Sequence, residues 1–478
     1  MKTDQKYNFF AAIGFVAIIF SLFTSFTSAL LADVKLPDVF ASGMVLQRDL
    51  PAPVWGWADP QEKITVTIGD QSQTTETNED GRWQVKLNPL KAANKPTKLI
   101  VKGKNEIVLE NILVGEVWLC SGQSNMAWTM NKLPDSKADI PSINNVNIRL
   151  FQVKHETAQK PVDHLTPTIK WQSAEPKSVT HFSSIGYYFG AKLNEELDVP
   201  IGLIDSSWGA TRIEPWTTVD GFKSVSIPSV VKLADVKLSE KPNQQQPTAL
   251  YNKMIHPLTP FAMRGVIWYQ GEGNLNDKMI YAEKMKALIA GWRKVFNNAE
   301  LGFYYVQLAP FRYGNVPTSL PQLWEAQAEV EKQVSKSGMV VINDIGNIND
   351  IHPKNKKIVA LRLAAQALNK TYGKKEIACE SPKFEKLTID GESVVISFTD
   401  VKEFKTRDGK SPDWFEIAGE NKEYHKADAV IVDKTKIKLT SDKVSKPVHV
   451  RFAWSQIAEP NLRNESDLQL GAFRTDKE

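Results

Sequence analysis

Two short segments, far apart in the chain, carry residue types that together could hydrolyse an ester. The first runs from Ser121 to Met126 and follows the apolar residues 117–120, where a strand should end. The second is Asp350-Ile351-His352-Pro353, in which a carboxylate and an imidazole stand two residues apart. A serine hydroxyl attacks a carbonyl only when a base takes its proton, and that base must itself be oriented. The two segments supply all three groups and predict a serine hydrolase.

Ser124 is the candidate nucleophile, and Ser121 is the alternative nearer the strand. A serine at the opening of a helix lies beside backbone N–H groups that have no intrahelical acceptor. Such groups can face the oxyanion of a tetrahedral intermediate. The competing interpretation is a serine that only caps a helix.

His352 is the candidate base because Asp350 is close enough in sequence to orient its ring. Pro353 is expected to stand at a helix start. Asp344, at the end of another apolar run, is a weaker candidate for the acid. The nearby basic cluster of Lys354, Lys356 and Lys357 is interpreted as a solvated helix face.

The elements that hold these residues fall into three regions. Alternating residues such as Ile64, Val66 and Ile68 are typical of half-buried strands and predict a β-sandwich over residues 33–113. Beyond Gly115, apolar runs alternate with segments of helical spacing, which predicts a parallel sheet covered by helices. The predicted strands are residues 117–120, 199–204, 265–269, 303–308 and 339–342, and the predicted helices are residues 185–197, 281–295 and 358–368.

These elements define a catalytic α/β domain over residues 114–375, followed by a β-rich region over residues 376–478. Ligands of open α/β sheets bind at the carboxyl ends of the strands. Because the candidate residues follow strands, they should meet at that edge.

Composition and the N-terminus restrict the class of protein. Lys+Arg 59 against Asp+Glu 55 is too balanced to suggest a nucleic-acid partner. Two cysteines, Cys120 and Cys379, exclude a disulfide framework and a cysteine-based zinc site. Residues 1–32 have the basic, apolar and small-residue order of a signal peptide, with a retained anchor as the alternative. We expect an exported protein, periplasmic or extracellular, that meets a membrane only if this segment is retained.

Several motifs together resemble the sialate O-acetylesterase family of the SGNH-hydrolase superfamily. They are Met44 to Gln47, Val54 to Trp57, Ser121 to Met126, Pro200 to Ile204, Ser206 to Gly209, Trp268 to Glu272, Asp350 to Pro353, Trp454, Asn461-Leu462, Asn464 and Phe473 to Thr475. One departure is Asp467-Leu468-Gln469, where the family usually has Gly-Leu-Pro. The resemblance implies a three-layer α/β/α, flavodoxin-like catalytic domain between the two β regions.

The oxyanion of an ester reaction also needs donors. The backbone N–H groups of Ser124 and Gly209 are two candidates, since glycine permits close backbone approach. The resemblance points to the segment after Trp268 for a third, and we favour the Gln270 amide over Asn274.

The remaining candidates are assigned to substrate contact. They are Gln123, Arg212, Glu214, Glu272 and Asn274. A structural ion pair is an equal alternative for Arg212 and Glu214. For Glu272 the equal alternative is a polar residue at the rim of the site.

The resulting hypothesis is a metal-free and cofactor-free esterase that removes acetyl groups from a sugar. The resemblance implies O-acetylated sialic acid as substrate, with acetylated xylan as the alternative.

No clustered His/Asp ligand set for a metal is evident in the sequence. Met126, two residues past Ser124, departs from the Gly-x-Ser-x-Gly elbow of α/β-hydrolases. A hypothesis of another class is a glycan-binding protein on an inactive scaffold. The oligomeric state is left open.

Overall fold

The first β region consists of strands whose alternate side chains are buried. The computed structural model describes residues 33–166 and 170–476. Ile64 and Val66 are fully buried while Thr65 and Thr67 are half-exposed, as the alternation predicts. The strands are β1 (Val45–Gln47), β2 (Ala52–Trp57), β3 (Lys63–Ile68), β4 (Gln71–Glu76), β5 (Arg82–Leu87), β6 (Ala93–Lys102) and β7 (Glu106–Gly122). A β-rich N-terminal region is thus confirmed.

Strand β7 joins this region to the central sheet. Its first half pairs with β6, and its second half lies between two strands of the catalytic region. The boundary predicted between residues 113 and 114 therefore falls inside one continuous strand. The strands that follow are β8 (Asn145–Gln152), β9 (Gln172–Ala174), β10 (Ile201–Ser207), β11 (Gly265–Tyr269), β12 (Gly302–Val306) and β13 (Ser337–Val340).

The central sheet has the order β13-β12-β11-β7-β10-β8-β9. Its neighbours run parallel except for the edge strand β9, which is antiparallel to β8. The predicted α/β class with a largely parallel sheet is confirmed. Strand β8 was not predicted, because the polar residues Asn147 and Arg149 interrupt its apolar run.

Helices cover this sheet. They are α1 (Ser124–Ala127), α2 (Pro134–Asp139), α3 (Pro176–Val179), α4 (Ser184–Leu197), α5 (Val219–Lys223), α6 (Pro228–Val231), α7 (Ile280–Val295), α8 (Ser319–Gln333) and α9 (Lys356–Lys370). Helix α4 packs against α9, and α7 packs against α8. The three predicted helices correspond to α4, α7 and α9. Helix α9 begins at Lys356 behind an Asn355 cap, so the prediction that Pro353 stands at the helix start was wrong.

A second hydrophobic core lies in the C-terminal β region. It includes Val394, Ile396, Ile417, Leu439 and Phe452. The strands are β14 (Lys383–Asp390), β15 (Ser393–Thr399), β16 (Lys405–Thr406), β17 (Phe415–Ala418), β18 (His425–Lys426), β19 (Asp428–Asp433), β20 (Lys436–Thr440), β21 (His449–Phe452), β22 (Leu462–Arg463) and β23 (Phe473–Arg474). They form two four-stranded sheets, β14-β15-β20-β19 and β18-β17-β21-β23, and the pair β16-β22. The predicted C-terminal β-rich region is confirmed.

The predicted signal peptide or anchor at residues 1–32 lies outside the described residues. Within residues 33–166 and 170–476, no helix has both the length and the apolar character needed to cross a membrane. Cys120 and Cys379 are both buried and both free, so they do not pair.

Candidate active site

Ser124 lies where the three middle strands of the central sheet end together. The register pairs Gly122 of β7 with Ser207 of β10 on one side and with Tyr269 of β11 on the other. Gly122 has φ +132°, and a Cβ there would stand 2.2 Å from the Tyr269 carbonyl oxygen. Only glycine fits this turn out of the strand. The chain then enters helix α1 at Ser124.

The structure brings Ser124 to His352, although 228 residues separate them. The distance from Ser124 Oγ to His352 Nε2 is 3.0 Å. This is the hydrogen-bond reach that a general base needs to accept a hydroxyl proton. The nearer alternative, Ser121, is fully buried, and its hydroxyl donates to the Ser206 carbonyl oxygen at 2.5 Å. Ser121 therefore holds strand β10, and only Ser124 of the two contacts the imidazole.

Asp350 lies beside His352, but its carboxylate does not hydrogen-bond the ring. Asp350 Oδ1 is 3.8 Å from His352 Nδ1 and accepts the His352 backbone N–H at 2.9 Å. Its other oxygen contacts Lys354 Nζ at 2.8 Å. The weaker candidate Asp344 forms a two-point ion pair with Arg362 at 2.8 and 2.7 Å. Of the two candidate acids, Asp350 is thus the one that lies beside His352, the candidate base.

An aromatic ring holds the imidazole from the side. Trp128, just after α1, stacks on His352 with ring centroids 4.6 Å apart and planes at 21°. Lys354 Nζ lies 4.3 Å from the centroid of the same tryptophan. The His352 ring is therefore oriented by stacking and by its contact with Ser124 more than by Asp350.

The pKa of His352 favours a neutral base. Burial, followed by the positive charge of Lys356, lowers the pKa of the imidazole below its ordinary value of 6.5. Lys354 and Lys132 act in the same direction, and Asp350 opposes them. The imidazole is consequently unprotonated near pH 7 and able to accept a proton.

Gly209 lies against Ser124, the candidate nucleophile. A Cβ built on Gly209 would stand 3.4 Å from Ser124 Cβ, so the two backbones approach closely. The Gly209 N–H donates to no acceptor among the described residues. The Ser124 N–H is in the first turn of α1, where intrahelical acceptors are lacking. Both groups are thus available to an oxyanion beside Ser124.

The structure does not support the Gln270 side chain as a third donor. Its amide nitrogen donates to the Thr211 carbonyl and, at 2.7 Å, to Asn274 Oδ1, while its oxygen accepts from Tyr281. Gln270 is fully buried, so its hydrogen bonds are made within the protein. The residue holds the loop around Thr211 close to β11 rather than facing Ser124.

A buried ion network takes up three of the candidates for substrate contact. Glu214 accepts from Arg212 at 2.8 Å, from Lys284 at 2.7 Å and from Asn274 at 3.0 Å. Arg212 and Lys284 also contact Asp277. For Arg212 and Glu214 the structure favours the structural ion pair. Asn274 is fully buried in this network and is not aimed at a ligand.

Glu214→Gln should destabilise the protein by about 1–3 kcal/mol, because Arg212 and Lys284 would lose one of the two carboxylates that they share and keep only Asp277. Burial alone would raise the pKa of Glu214, but Arg212, Lys284 and Asn274 lower it to about 2. The stabilisation is therefore present above the ordinary value of 4.5 and is lost as the pH falls toward 2. Urea unfolding at pH 7 measures the change. The matched control Asp220→Asn breaks an exposed pair with Lys294 and should cost under about 1 kcal/mol.

Gln123 joins the nucleophile turn to the loop after β11. It is buried, and its side-chain oxygen accepts the N–H groups of Gly271 at 3.3 Å and Gly273 at 3.4 Å. This contact makes it a support of the turn. A contact of Gln123 with the substrate stays a prediction.

Sequence reasoning missed Lys356, which belongs to a polar cluster beneath the nucleophile helix. Lys356 is 1% exposed, so the solvated-face interpretation was wrong for this lysine, although Lys354 and Lys357 are exposed. Its ammonium donates to Asn125 Oδ1. Asn125 Nδ2 donates to Glu272 at 2.5 Å, and the other Glu272 oxygen is buried without a partner. One oxygen of the Glu272 carboxylate is therefore enclosed, while the residue as a whole is half-buried.

Metal-ligating side chains are dispersed in the described part of the chain. Within residues 33–166 and 170–476 there is no group of three or more His, Cys, Asp or Glu side chains that could hold a metal ion.

Comparison with known proteins places this site in a family. The model of the sialic acid-specific acetylesterases, a group of carbohydrate esterases, matches residues 114–369, which is more than half of the chain. The chain belongs to this family. The resemblance of the motifs is confirmed, and so is the prediction of a carboxylic ester hydrolase. The match contains Ser124, Gly209, Asp350 and His352.

Individual sialate O-acetylesterases and a solved carbohydrate acetylesterase are also similar to this chain. A solved carbohydrate acetylesterase from Xanthomonas citri is 34% identical, with a TM-score of 0.85 over 93% of this chain and 100% of that chain. The sialate O-acetylesterase of Pongo abelii is 29% identical over 394 residues, 74% of each chain. That of Rattus norvegicus is 27% identical over 438 residues, 78% of this chain and 80% of the relative. The similarity to each extends well beyond the family match.

Proposed function

We propose that this carbohydrate esterase removes O-acetyl groups from O-acetylated sialic acid through an acetyl-serine intermediate. The observation that carries the mechanism is the 3.0 Å contact between Ser124 Oγ and His352 Nε2 at the carboxyl edge of the sheet. The substrate follows from the family and from its sialate O-acetylesterase members.

In the first step Ser124 Oγ attacks the acetyl carbonyl carbon while His352 Nε2 takes the hydroxyl proton. The carbonyl oxygen becomes an oxyanion, which the N–H groups of Ser124 and Gly209 stabilise. The intermediate collapses when the bond to the sugar oxygen breaks, and His352 gives its proton to that oxygen. The deacetylated sugar leaves, and the acetyl group remains on Ser124.

In the second step water replaces the sugar. His352 takes a proton from the water, which attacks the acetyl carbon, and the same two N–H groups stabilise the second oxyanion. Collapse releases acetate and returns the proton to Ser124 Oγ. Asp350, 3.8 Å from His352 Nδ1, stabilises the imidazolium by its charge in both steps.

Activity should depend on pH through His352. Because only the neutral imidazole accepts the serine proton, kcat/KM should rise with pH and reach a plateau. The lowered pKa of His352 places the midpoint of this rise below 6.5. The measurement is kcat/KM for p-nitrophenyl acetate between pH 4.5 and 8, with folding followed by circular dichroism at each pH. A midpoint above 6.5 in folded protein contradicts the lowered pKa.

An acetate-release panel tests the substrate. Purified protein is incubated with O-acetylated sialic acids, acetylated xylan and p-nitrophenyl acetate, and free acetate is measured. We expect the highest kcat/KM on the sialic acids. Xylan belongs in the panel because the Xanthomonas citri relative is described only as a carbohydrate acetylesterase. A preference for xylan overturns the proposed substrate.

Three further features belong to the same proposal. The catalytic region, bounded by residues 114 and 375, has the three-layer α/β/α arrangement of SGNH hydrolases, with α4 and α9 packed together and α7 and α8 packed together. The flanking β regions are residues 33–113 and 376–478. The protein is exported to the periplasm or the cell exterior by residues 1–32. The small residues Thr27-Ser28-Ala29 form the favoured cleavage site, and N-terminal sequencing of the mature protein tests cleavage after Ala29.

A further inference from the structure

A buried lysine connects the three chain segments that build the site. Lys356 opens α9, four residues after the base His352, and is 1% exposed. Its ammonium donates to Asn125 Oδ1, and Asn125 directly follows the nucleophile Ser124. A lysine is almost never fully buried unless it is paired, so this position calls for a reason.

Asn125 passes the connection to the third segment. Its amide nitrogen donates to Glu272 Oε1 at 2.5 Å and to the Ile351 carbonyl at 3.1 Å. Glu272 follows strand β11, and Ile351 precedes His352. One asparagine side chain is therefore bonded to the loop after β11, to the histidine loop and to the start of α9.

The surroundings leave the Lys356 ammonium few other partners. Its Nζ lies 5.4 Å from the Tyr269 ring centroid and 5.9 Å from that of Trp128, the ring that stacks on His352. Both faces are of a kind that attracts a desolvated cation. The charged groups that act on Lys356 are Glu272, Asp350 and Lys354.

We propose that Lys356 is a positioning residue, whose bond to Asn125 locks the histidine loop and the Glu272 loop onto the helix that carries Ser124. The inference rests on the proposed function of that site. It assigns Lys356 no contact with the substrate. Its role is to maintain the 3.0 Å approach of His352 to Ser124, a distance on which proton transfer depends.

The charge of Lys356 has a second effect, which a purely structural residue would lack. Burial lowers the pKa of Lys356 to about 7, and Glu272 opposes this shift. In the acidic range Lys356 is therefore positively charged, and it lowers the pKa of His352. Lys354 and Lys132 act on His352 in the same sense, and Asp350 acts in the opposite sense. Removal of the Lys356 charge alone should raise the pH at which His352 becomes neutral.

The test compares Lys356→Met with Lys357→Met on p-nitrophenyl acetate. Lys357 is the matched control, since it is adjacent and exposed, and its ammonium contacts Asp139 and the Tyr188 ring. We expect kcat/KM of K356M to fall about 10²-fold, as for a misplacement near 1 Å. The acid limb of its pH profile should move to higher pH. K357M should have the same kcat/KM as the unaltered protein and the same acid limb in its pH profile. An unchanged limb in folded K356M overturns the proposal.

Asn125→Ala provides a second test, which does not depend on the folding of K356M. It breaks the same connection but leaves the charge, so kcat/KM should fall about 10²-fold with the acid limb unmoved. The double variant should be no worse than either single variant, because both remove one connection. Full activity in N125A, or losses that multiply in the double variant, overturn the inference. Absence of esterase activity in the unaltered protein would overturn the proposed function instead.

Discussion

Ser124→Ala should reduce kcat/KM for acetyl esters by about 10⁴-fold or more, because no other described hydroxyl contacts the base His352. The change removes the atom that forms the acyl bond and leaves the fold, since Ser124 makes no side-chain hydrogen bond other than that to His352. Melting temperature and circular dichroism should match those of the unaltered protein. Rates are compared on p-nitrophenyl acetate and on an O-acetylated sialic acid.

Ser121→Ala is the matched control for that experiment. It removes a serine hydroxyl three residues earlier, which is buried against the Ser206 carbonyl. This variant should lose about 1 kcal/mol of stability through its missing hydrogen bond and keep its esterase rate within a few fold. Substantial turnover in Ser124→Ala, or loss of turnover in folded Ser121→Ala, would show that the nucleophile is a serine other than Ser124.

His352→Ala should be nearly as damaging as Ser124→Ala. Without the imidazole the serine proton has no acceptor, and the leaving sugar oxygen has no donor. Residues that act as one unit lose their effect together, so the Ser124→Ala/His352→Ala double variant should be no slower than Ser124→Ala. The measurement is kcat/KM of the three variants on p-nitrophenyl acetate near pH 8, on the plateau.

His425→Ala is the control for the histidine variants. His425 lies in the C-terminal strand β18, where its nearest charged neighbour is Glu423 at 3.8 Å. Its removal should leave the rate unchanged. If His352→Ala kept more than about one hundredth of the activity, another group would have to serve as base, since general bases contribute about 10²–10⁴-fold.

The placement of the site could be predicted from local patterns. Val117 to Cys120 forms an apolar run that is followed by Ser-Gly-Gln-Ser, and such a run is expected as a buried strand that ends at a turn. The carboxyl ends of parallel strands lie at one edge of the sheet, so three segments that each follow a strand were expected to meet there. Ser124 and Gly209 lie there because β7 and β10 are neighbours in the sheet, and the loop between β13 and α9 brings His352 to the same edge.

Contacts between side chains that are far apart in the sequence could not be predicted from the same local patterns. Lys356 stands among other lysines at a helix start, and such a cluster has the sequence pattern of a solvent-exposed helix face. Its burial depends on Asn125, 231 residues away. The resemblance to the family likewise pointed to Gln270 as an oxyanion donor, but Asn274 and Thr211 accept hydrogen bonds from its amide nitrogen.

Labelling with a fluorophosphonate, which reacts with an activated serine hydroxyl, tests the central claim most directly. The active protein is labelled, esterase activity is followed during the reaction, and the modified residue is identified by peptide mass spectrometry. The account predicts a single label on Ser124 that forms as activity disappears, and no label on that peptide in His352→Ala. A label on a different serine that forms as activity disappears, or full inactivation with Ser124 unmodified, would contradict it.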